Sequence, residues 1–332
     1  MGNTGISYAT KGWNPIVGCP RPIVSPGCAK CWARELHDMR HRAFLAGKMM
    51  PAQYSRPFDE LQFLPDRISE PFTWKKAQRV FVAPQSDLFH AAVSSEIIAA
   101  AFGVMSATPR HTYLTLTKRP ERMLEWVEWY EREEAAHGGV LHGNWGAYAP
   151  HDEDDDDSVD QAILDADWPL PNVLLGATVT FQDEADRIIP ILCQLSEQGW
   201  RTWLSVEPML GPVDLRAGLR GGKRPFAFKC DECDFGGVDL GGTDCVAHRK
   251  KFPSLDWVVV GCDSAKNARS MDPEWARSVL RQCSAAGVHC FVKQLNSSTR
   301  GAVLTDPERF PLDLRVRELP ETRARDCFYL DL

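Results

Sequence analysis

The sequence has no apolar run that approaches the roughly 18 residues needed by a membrane-spanning helix. Its first residues, MGNTGISYATKGW, lack the basic start and apolar stretch of a secretory signal. We therefore expect a cytoplasmic protein with no membrane partner. A fixed-period repeat and a phosphate-binding loop ending in Gly-Lys-Ser/Thr are also missing, as is the His-x-Glu and Pro-Cys-x2-Cys signature of zinc deaminases. A barrel nuclease or deaminase that works through zinc thus has no supporting signature.

The chain has fewer basic than acidic residues, 38 Lys and Arg against 45 Asp and Glu, which gives its 332 residues a net charge of −7. Residues 131–167 alone hold twelve acidic residues against one arginine, and the rest of the chain is therefore about +4. Such like-charge blocks repel one another and bury little surface, so this segment is predicted to be a solvated, flexible insertion. The bulk charge does not exclude an anionic substrate.

Cysteine is plentiful, with eleven residues in the chain. In a reducing compartment this number favours metal binding or catalysis over disulfides. The cysteines form two clusters, one at 19–31 and one at 230–245, and five others are scattered through apolar stretches. Among those five, Cys262 is of interest because it follows a predicted strand.

Short β-rich runs alternate with helix-like stretches along the chain, which predicts a parallel sheet covered by helices. Near-continuous apolar strands fit a sheet that is buried on both faces or closed into a barrel. We count about seven such units and predict a partial or complete parallel (β/α) barrel, organised as a single domain over residues 1–332. The predicted strands after the first, GWNPIVG, are RVFVAP (79–84), HTYLTLT (111–117), NVLLGATVT (172–180), RTWLSVEP (201–208), LDWVVVGC (255–262) and VHCFVKQL (288–295).

Cys19, Cys28 and Cys31 lie in the stretch CPRPIVSPGCAKCW with the spacing Cys-x8-Cys-x2-Cys. Three thiolates can hold three irons of a 4Fe-4S cluster and leave the fourth open to a small molecule. The triplet follows the first predicted strand, at the barrel face that carries active sites. Two alternatives stay open: a zinc site completed by His37 or another residue, and unrelated buried cysteines.

Several ordered motifs resemble a phage-associated protein family that has a three-cysteine motif and an unknown function. The resemblance spans nearly the whole chain outside residues 131–167 and 216–251. The cysteine motif and the barrel pattern of that family are similar to those of radical S-adenosylmethionine enzymes. The motifs are WNPIVGC, SPGCAKCWA, QSDLFH, LTKRPERM, WPLPNVLLGATV, SVEPMLGPVDL, LDWVVVGCDS and FVKQ.

The resemblance implies a barrel of the radical S-adenosylmethionine type, with a 4Fe-4S cluster on Cys19, Cys28 and Cys31 and S-adenosylmethionine as a further cofactor. The sequence departs from the usual pattern at two points. The first cysteine gap is eight residues rather than the usual three, and Gly261-Cys262-Asp263-Ser264 stands where the family typically has Gly-Gly-Glu-Ser.

Polar residues follow the carboxyl ends of the predicted strands, where a radical mechanism would need them. Glu207 or Asp87 would bind the methionine ammonium or the ribose hydroxyls, and Lys118, Arg119 and Lys293 would hold a carboxylate or phosphate. A structural salt bridge is the alternative for each charged residue. The candidate catalytic residues are Asp87, Lys118, Arg119, Glu207, Asp263 and Lys293. The candidate cofactor-binding residues are Ser86, Thr178, Thr180, Glu207, Ser264 and Gln294.

The second cluster interrupts the strand–helix alternation at residues 216–251. Cys230, Cys233, Cys245 and His248 have zinc-ribbon-like spacing, and a complete Cys3His shell indicates a structural zinc ion, although an auxiliary iron–sulfur cluster stays open. Basic residues flank this predicted zinc-binding insertion and could contact nucleic-acid phosphates or form a solvated face.

The leading hypothesis is a radical S-adenosylmethionine-type iron–sulfur enzyme that modifies a nucleic acid or nucleotide. The alternative is a non-catalytic, zinc-stabilised protein that binds nucleic acid or a protein partner. The expected partners of the enzyme are an electron donor such as flavodoxin or ferredoxin and a nucleic acid. The family resemblance adds a companion protein that is also named for a three-cysteine motif.

Overall fold

A computed structural model describes residues 4–148, 157–219, 244–245, 250–251, 254–264, 269–297 and 302–320. The chain divides into two compact units, Met1–Leu174 with Glu321–Leu332, and Leu175–Pro320. Among the residues in these ranges, no helix is both long and apolar enough to cross a membrane.

The first unit builds its sheet from short, apolar strands, of which β1, β4 and β5 pair side by side in parallel. A separate antiparallel pair joins β2 to β3. The strands are β1 Lys11–Trp13, β2 Ile16–Val17, β3 Gln62–Phe63, β4 Arg79–Val82 and β5 Thr112–Thr117, followed by β6 Val173–Val179, which begins in this unit. The helices are α1 Trp32–Leu45, α2 Ser95–Ala107, α3 Pro120–His137, α4 Val140–Tyr148 and α5 Asp157–Leu164.

Large aromatic side chains fill the core of the first unit. Trp13, Tyr113 and Trp126 are each fully buried. The polar tips of these rings are satisfied, since Trp13 Nε1 donates to the carbonyl of Arg67 at 2.7 Å and the Tyr113 hydroxyl bonds the Thr108 hydroxyl at 2.6 Å. The burial of these large rings stabilises the first unit.

The sheet of the second unit is also mostly parallel, and its strand order is β6-β7-β10-β11-β12. The pairs β7–β10 and β10–β11 are parallel, and β11–β12 is antiparallel. Gly176 of β6 is required because a Cβ atom there would lie 2.2 Å from Nε1 of the buried Trp203. The elements are β7 Arg201–Val206, β8 Asp244–Cys245, β9 Lys250–Lys251, β10 Trp257–Gly261, β11 His289–Asn296 and β12 Val303–Leu304, with α6 Gln182–Glu197 and α7 Pro273–Ala286.

The prediction of an α/β fold with a mostly parallel sheet is confirmed, and every predicted strand overlaps an observed one. A barrel is not shown, and the barrel and the single domain stay predictions. Helix α6 continues through Pro190 without interruption. The predicted zinc-binding insertion lies largely outside the described residues.

Much of the segment predicted to be a flexible acidic insertion is helical. The end of α3 and all of α4 and α5 fall within residues 131–167. Leu141 and Trp145 of α4 are buried, and α4 and α5 both pack on α2. The apolar residues between the charges therefore decide the local structure, because they bury surface that the acidic residues alone could not. The acidic run at 149–156 lies outside the described residues.

Candidate functional site

The cysteine segment begins directly after β2 at a position that only glycine can occupy. Gly18 has φ of 93°, and a Cβ atom there would lie 2.1 Å from the carbonyl oxygen of Glu60. The Gly18 amide donates to the carbonyl of Gln85 at 3.0 Å, and its own carbonyl accepts from the Ser86 hydroxyl at 2.5 Å. These bonds fix the start of the segment, Cys19, at the carboxyl end of β4.

Cys28 and Cys31 lie on a short 3-10 turn, Pro26–Lys30, and at the entry to α1. The Ser25 hydroxyl caps the turn by accepting from a backbone amide at 3.2 Å, and the carbonyl of Cys31 accepts from the Glu35 amide at 3.0 Å. All three cysteines of the triplet are free and half-buried. Cys31 is the N-cap residue of α1.

Asp87, just beyond the end of β4, is buried, and hydrogen bonds hold both of its carboxylate oxygens. Oδ1 accepts from the Thr117 hydroxyl at 2.7 Å and from the Phe89 amide at 3.1 Å. Oδ2 accepts from Nη1 of Arg119 at 2.8 Å and from the Lys118 amide at 3.3 Å. Because four donors already bind its carboxylate, Asp87 is suited to position Arg119 at the end of β5 and not to act as a base.

The Cys19 thiol lies against this ion pair. Burial raises its pKa to about 11, the Asp87 carboxylate adds to the rise, and the Arg119 guanidinium, which hydrogen-bonds the sulfur, opposes it. Cys31 is also near enough to raise the pKa of Cys19. We call Cys19, Cys28, Cys31, Asp87 and Arg119 the thiol site. Within the described ranges, no three His, Cys, Asp or Glu side chains are grouped so that they could hold a metal ion.

His90 also holds the cysteine segment in place. It was not among the residues predicted from the sequence, although it is the last residue of the motif QSDLFH. Its Nδ1 accepts from the Ala92 amide at 3.0 Å, so Nε2 must carry the proton that is donated to the carbonyl of Pro20, also at 3.0 Å. The imidazole is therefore neutral. Burial lowers its pKa, and the charge of Arg119 lowers it further.

We expect the free energy of unfolding to fall as the pH drops below about 6.5, the ordinary pKa of histidine. Because the pKa of His90 is lower in the folded chain, the unfolded chain binds a proton first, and acid then favours unfolding. Urea titrations at several pH values below 6.5 measure the slope. His90→Gln should flatten it, whereas His137→Gln, which changes an exposed histidine, should not. Equal slopes for wild type and His90→Gln would show that His90 does not carry the effect.

The contacts of His37, the residue considered as a fourth zinc ligand, indicate a structural role. It is buried on α1 and stacks near Tyr54 and Phe58, with ring centroids 5.1 and 5.3 Å away. Its Nε2 lies 2.9 Å from the carbonyl of Arg56. That contact uses the nitrogen at the tip of the ring, and His37 belongs to no metal-binding group among the described residues.

Two further basic residues lie near the triplet. Arg34 forms a two-pronged pair with Asp59, at 2.9 Å on each side, and also donates to the carbonyl of Cys19 at 3.1 Å. Sequence reasoning missed this pair because Arg34 and Asp59 are 25 residues apart. Lys118 is half-buried and precedes Arg119, and its backbone amide donates to Asp87 at 3.3 Å.

The second unit has its own polar cluster, formed by residues that follow β7 and β10 and by a residue within β11. Nζ of Lys293 lies 2.5 Å from Oε1 of Glu207, and the two side chains are 18% and 15% exposed. Gly261 leaves room for the pair, since a Cβ atom there would lie 3.1 Å from the Glu207 carboxyl carbon. Burial and the Glu207 carboxylate raise the pKa of the buried Cys262 thiol to about 12, so the thiol stays protonated. We call Glu207, Lys293 and Cys262 the strand-end cluster.

The other predicted residues of the second unit have mixed environments. Asp263 is buried and pairs with Nε of Arg269 at 3.0 Å, and Ser264 is exposed. The Gln294 amide donates to the carbonyl of Cys262 at 2.7 Å, and Glu184 accepts from the Thr180 hydroxyl at 2.6 Å. Both contacts are structural.

Thr178 differs from these residues, because its buried hydroxyl has no recorded hydrogen-bond partner among the described residues. A buried hydroxyl without a partner costs free energy, which makes it a candidate for contact with a ligand.

Of the second cysteine cluster, Cys230, Cys233 and His248 lie outside the described residues. Cys245 belongs to β8, a two-residue strand that pairs with β9 in an antiparallel ladder. The predicted zinc site therefore stays a prediction.

A family model described as "Protein of unknown function (DUF5131)" matches residues 3–310. Neither a curated protein nor a solved structure matches the chain. The family match covers nearly the whole chain, in agreement with the extent of the resemblance seen in the sequence.

Proposed function

The chain belongs to the DUF5131 family, and we propose that it is an iron–sulfur enzyme of the radical S-adenosylmethionine type, with Cys19, Cys28 and Cys31 as the cluster ligands. The observation that carries the proposal is the thiol site itself. Three free cysteines lie on one loop and turn at strand ends, and the first of them contacts an arginine that a buried aspartate holds in place.

The donor set fits a 4Fe-4S cluster in its chemistry. Such clusters are held by cysteine thiolates, and three ligands leave one iron open. His37, the nearest alternative for a fourth ligand, bonds a backbone carbonyl instead. The thiols are not grouped for a metal among the described residues, so cluster binding would require the three sulfurs to move closer together.

A bound cluster would supply one electron for the cleavage of S-adenosylmethionine to a 5′-deoxyadenosyl radical. The protein's own residues would prepare that site. Arg119 donates to the Cys19 sulfur and offsets the negative charge of the three thiolates, and Asp87 fixes the direction of that donor. Cys31 would meet the cluster from the N-cap position of α1. Arg34 holds the Cys19 carbonyl and so limits the movement of the loop.

In the second unit we propose that the strand-end cluster binds a polar ligand. Glu207 would meet an ammonium group or ribose hydroxyls, Lys293 a carboxylate, and Thr178 a ligand donor or acceptor that satisfies its hydroxyl. A nucleic acid or nucleotide as the substrate stays a prediction, because the basic residues that motivate it lie largely outside the described ranges.

Anaerobic purification and reconstitution test the proposal. We expect a brown protein that contains iron and sulfide and that cleaves S-adenosylmethionine to 5′-deoxyadenosine when a reductant is added. A colourless protein that takes up zinc at the triplet and leaves S-adenosylmethionine intact would contradict the proposal and favour a non-catalytic binding protein.

A further inference from the structure

One edge of the sheet in the first unit is built from stretches of sequence that contain no acidic residue. Residues 1–34, 71–86 and 97–120 hold no aspartate or glutamate, although the whole chain has 45. These three stretches supply the amino ends of β1, β4 and β5, which are neighbours in the sheet. Five basic residues lie at those strand starts or a few residues before them, and we call them the basic edge: Lys11, Lys75, Lys76, Arg79 and Arg110.

Contacts in the structure, and not only sequence position, bring these residues together. Lys11 and Arg79 are the first residues of β1 and β4, which pair side by side. Nζ of Lys11 lies 5.9 Å from the centre of the Trp74 ring, and Nε of Arg110 donates to the Trp74 carbonyl at 3.2 Å. Trp74 thus joins β1 to the residues that precede β5, and the two lysines of the basic edge follow it directly in the chain.

The charges of the basic edge are not neutralised within the described part of the chain. None of its five residues takes part in an ion pair there. Arg79 donates from Nε to one backbone carbonyl at 3.1 Å, and Arg110 donates to three carbonyls of residues 71–74 at 3.1–3.4 Å. These neutral acceptors hold the two guanidinium groups in place without balancing their charge. By contrast, Arg34 and Arg119 of the same unit each pair with an aspartate.

The basic edge is open to solvent but offers no apolar anchor. Lys75, Lys76 and Arg110 are exposed, and Lys11 and Arg79 are half-buried. Of the large hydrophobic residues that are exposed among the described residues, none lies in 4–22 or 50–148, the ranges that contain the basic edge. A protein interface has an apolar core, and a protein that lies on a membrane inserts apolar side chains. Both partners therefore fit the basic edge less well than a polyanion that needs only cations.

We propose that the basic edge binds the phosphate backbone of a nucleic acid. Neighbouring strands of a sheet are about 4.8 Å apart, so β1, β4 and β5 spread the basic edge over about 10 Å. Phosphates follow one another at about 3.4 Å along the axis of each strand of a double helix, so about three consecutive phosphates match this width. Lysine and arginine contacts to phosphates supply most of the affinity of binding that does not depend on sequence.

Binding at the basic edge is independent of the proposed iron–sulfur chemistry. The thiol site lies at the carboxyl ends of β4 and β5, whereas the basic edge lies at the amino ends of the same strands. None of its residues belongs to the predicted zinc-binding insertion. Phosphate contacts carry no sequence information, so we expect binding that ignores base sequence and weakens steeply with salt. Failure of either proposal leaves the other standing, because the binding needs no cluster.

Fluorescence anisotropy of labelled oligonucleotides, measured on the full chain at several salt concentrations, tests the proposal. The probes are a single-stranded DNA, a single-stranded RNA and a duplex DNA of equal length, which identify the form of nucleic acid. The test variant is Lys75→Gln/Lys76→Gln, since both side chains are exposed and their replacement leaves the core intact. We expect wild type to bind at least one probe, and the variant to bind it about tenfold more weakly. The slope of log affinity against log salt should become shallower by about two.

Arg42→Gln/Lys48→Gln is the matched control, because it removes the same charge from two exposed positions of the first unit that lie outside the basic edge. It should bind the probes as wild type does. Equal weakening in the two double variants would overturn the proposal, since net charge alone would then explain the binding. Unchanged binding by Lys75→Gln/Lys76→Gln would also overturn it, as would a wild type that binds none of the three probes.

Competition separates nucleic acid from other anionic partners. Poly-glutamate and vesicles that contain phosphatidylserine are added to the complex of wild type with its labelled oligonucleotide. We expect neither to displace the oligonucleotide as well as an unlabelled copy does at the same concentration of negative charge. Equal displacement by poly-glutamate would overturn the proposal in favour of an acidic protein, and equal displacement by the vesicles would overturn it in favour of a membrane surface.

Discussion

Cys28→Ala should abolish the cluster and reduce the cleavage of S-adenosylmethionine at least about 100-fold. Loss of groups that merely orient a metal ligand costs about 10–100-fold in affinity or activity, and the loss of one of three direct ligands should cost more. Cys28 lies half-buried on a 3-10 turn, so its replacement removes a sulfur without opening a cavity in the core. Iron and sulfide content and the yield of 5′-deoxyadenosine measure the effect.

Cys193→Ala is the matched control for this variant. Cys193 is also a half-buried thiol in no disulfide, but it lies on α6 of the second unit. We expect it to retain iron, sulfide and activity. A Cys28→Ala protein that keeps the iron of wild type would show that the triplet does not hold the cluster. If Cys193→Ala lost as much iron as Cys28→Ala, the loss would reflect general damage, and the assignment of ligands would fail.

The strands could be predicted from the sequence because each one is a short run of β-branched and aromatic residues between turn residues. β6 and β10, for example, are buried at every position, as a parallel sheet covered on both faces requires. Their carboxyl ends could also be predicted, and the polar residues there were therefore found. This reasoning needs only local sequence, which explains its success.

The contacts within the thiol site could not be predicted in the same way. The Asp87–Arg119 pair joins residues 32 positions apart, and His90 reaches Pro20 across 70 positions. Such contacts depend on how neighbouring strands are aligned, which the local pattern does not give. The helices within the acidic segment were not predicted either, because that prediction considered only the charge of residues 131–167 and not the apolar Leu141 and Trp145, which are buried.

Variants of Glu207 and Lys293 in the strand-end cluster can show whether this ion pair stabilises the fold or binds a ligand. Lys293→Met should destabilise the second unit by about 3 kcal/mol, because it leaves the carboxylate of Glu207 largely buried without its partner. The value lies at the low end for buried pairs, since both side chains keep some exposure. Urea unfolding, followed by the fluorescence of the buried Trp203 and Trp257, measures the loss.

The double variant Glu207→Gln/Lys293→Met separates the two roles. Removal of both charges leaves no unpaired ion, so we expect most of the lost stability to return. Binding of S-adenosylmethionine should not return, because the groups proposed to meet its polar atoms are gone. Arg277→Met is the control for a pair at the surface: Arg277 and Asp313 are 28% and 56% exposed, and the loss of this pair should cost much less stability than Lys293→Met.

The outcomes are distinct because stability and binding are measured separately. If Lys293→Met costs no more than Arg277→Met, the pair contributes little to the fold. If the double variant unfolds like wild type and binds S-adenosylmethionine like wild type, Glu207 and Lys293 form a structural salt bridge only. If Glu207 and Lys293 form a ligand site, the double variant should recover stability but not binding. Once the fold is restored, the double variant differs from wild type only in lacking the charged groups that a ligand would contact.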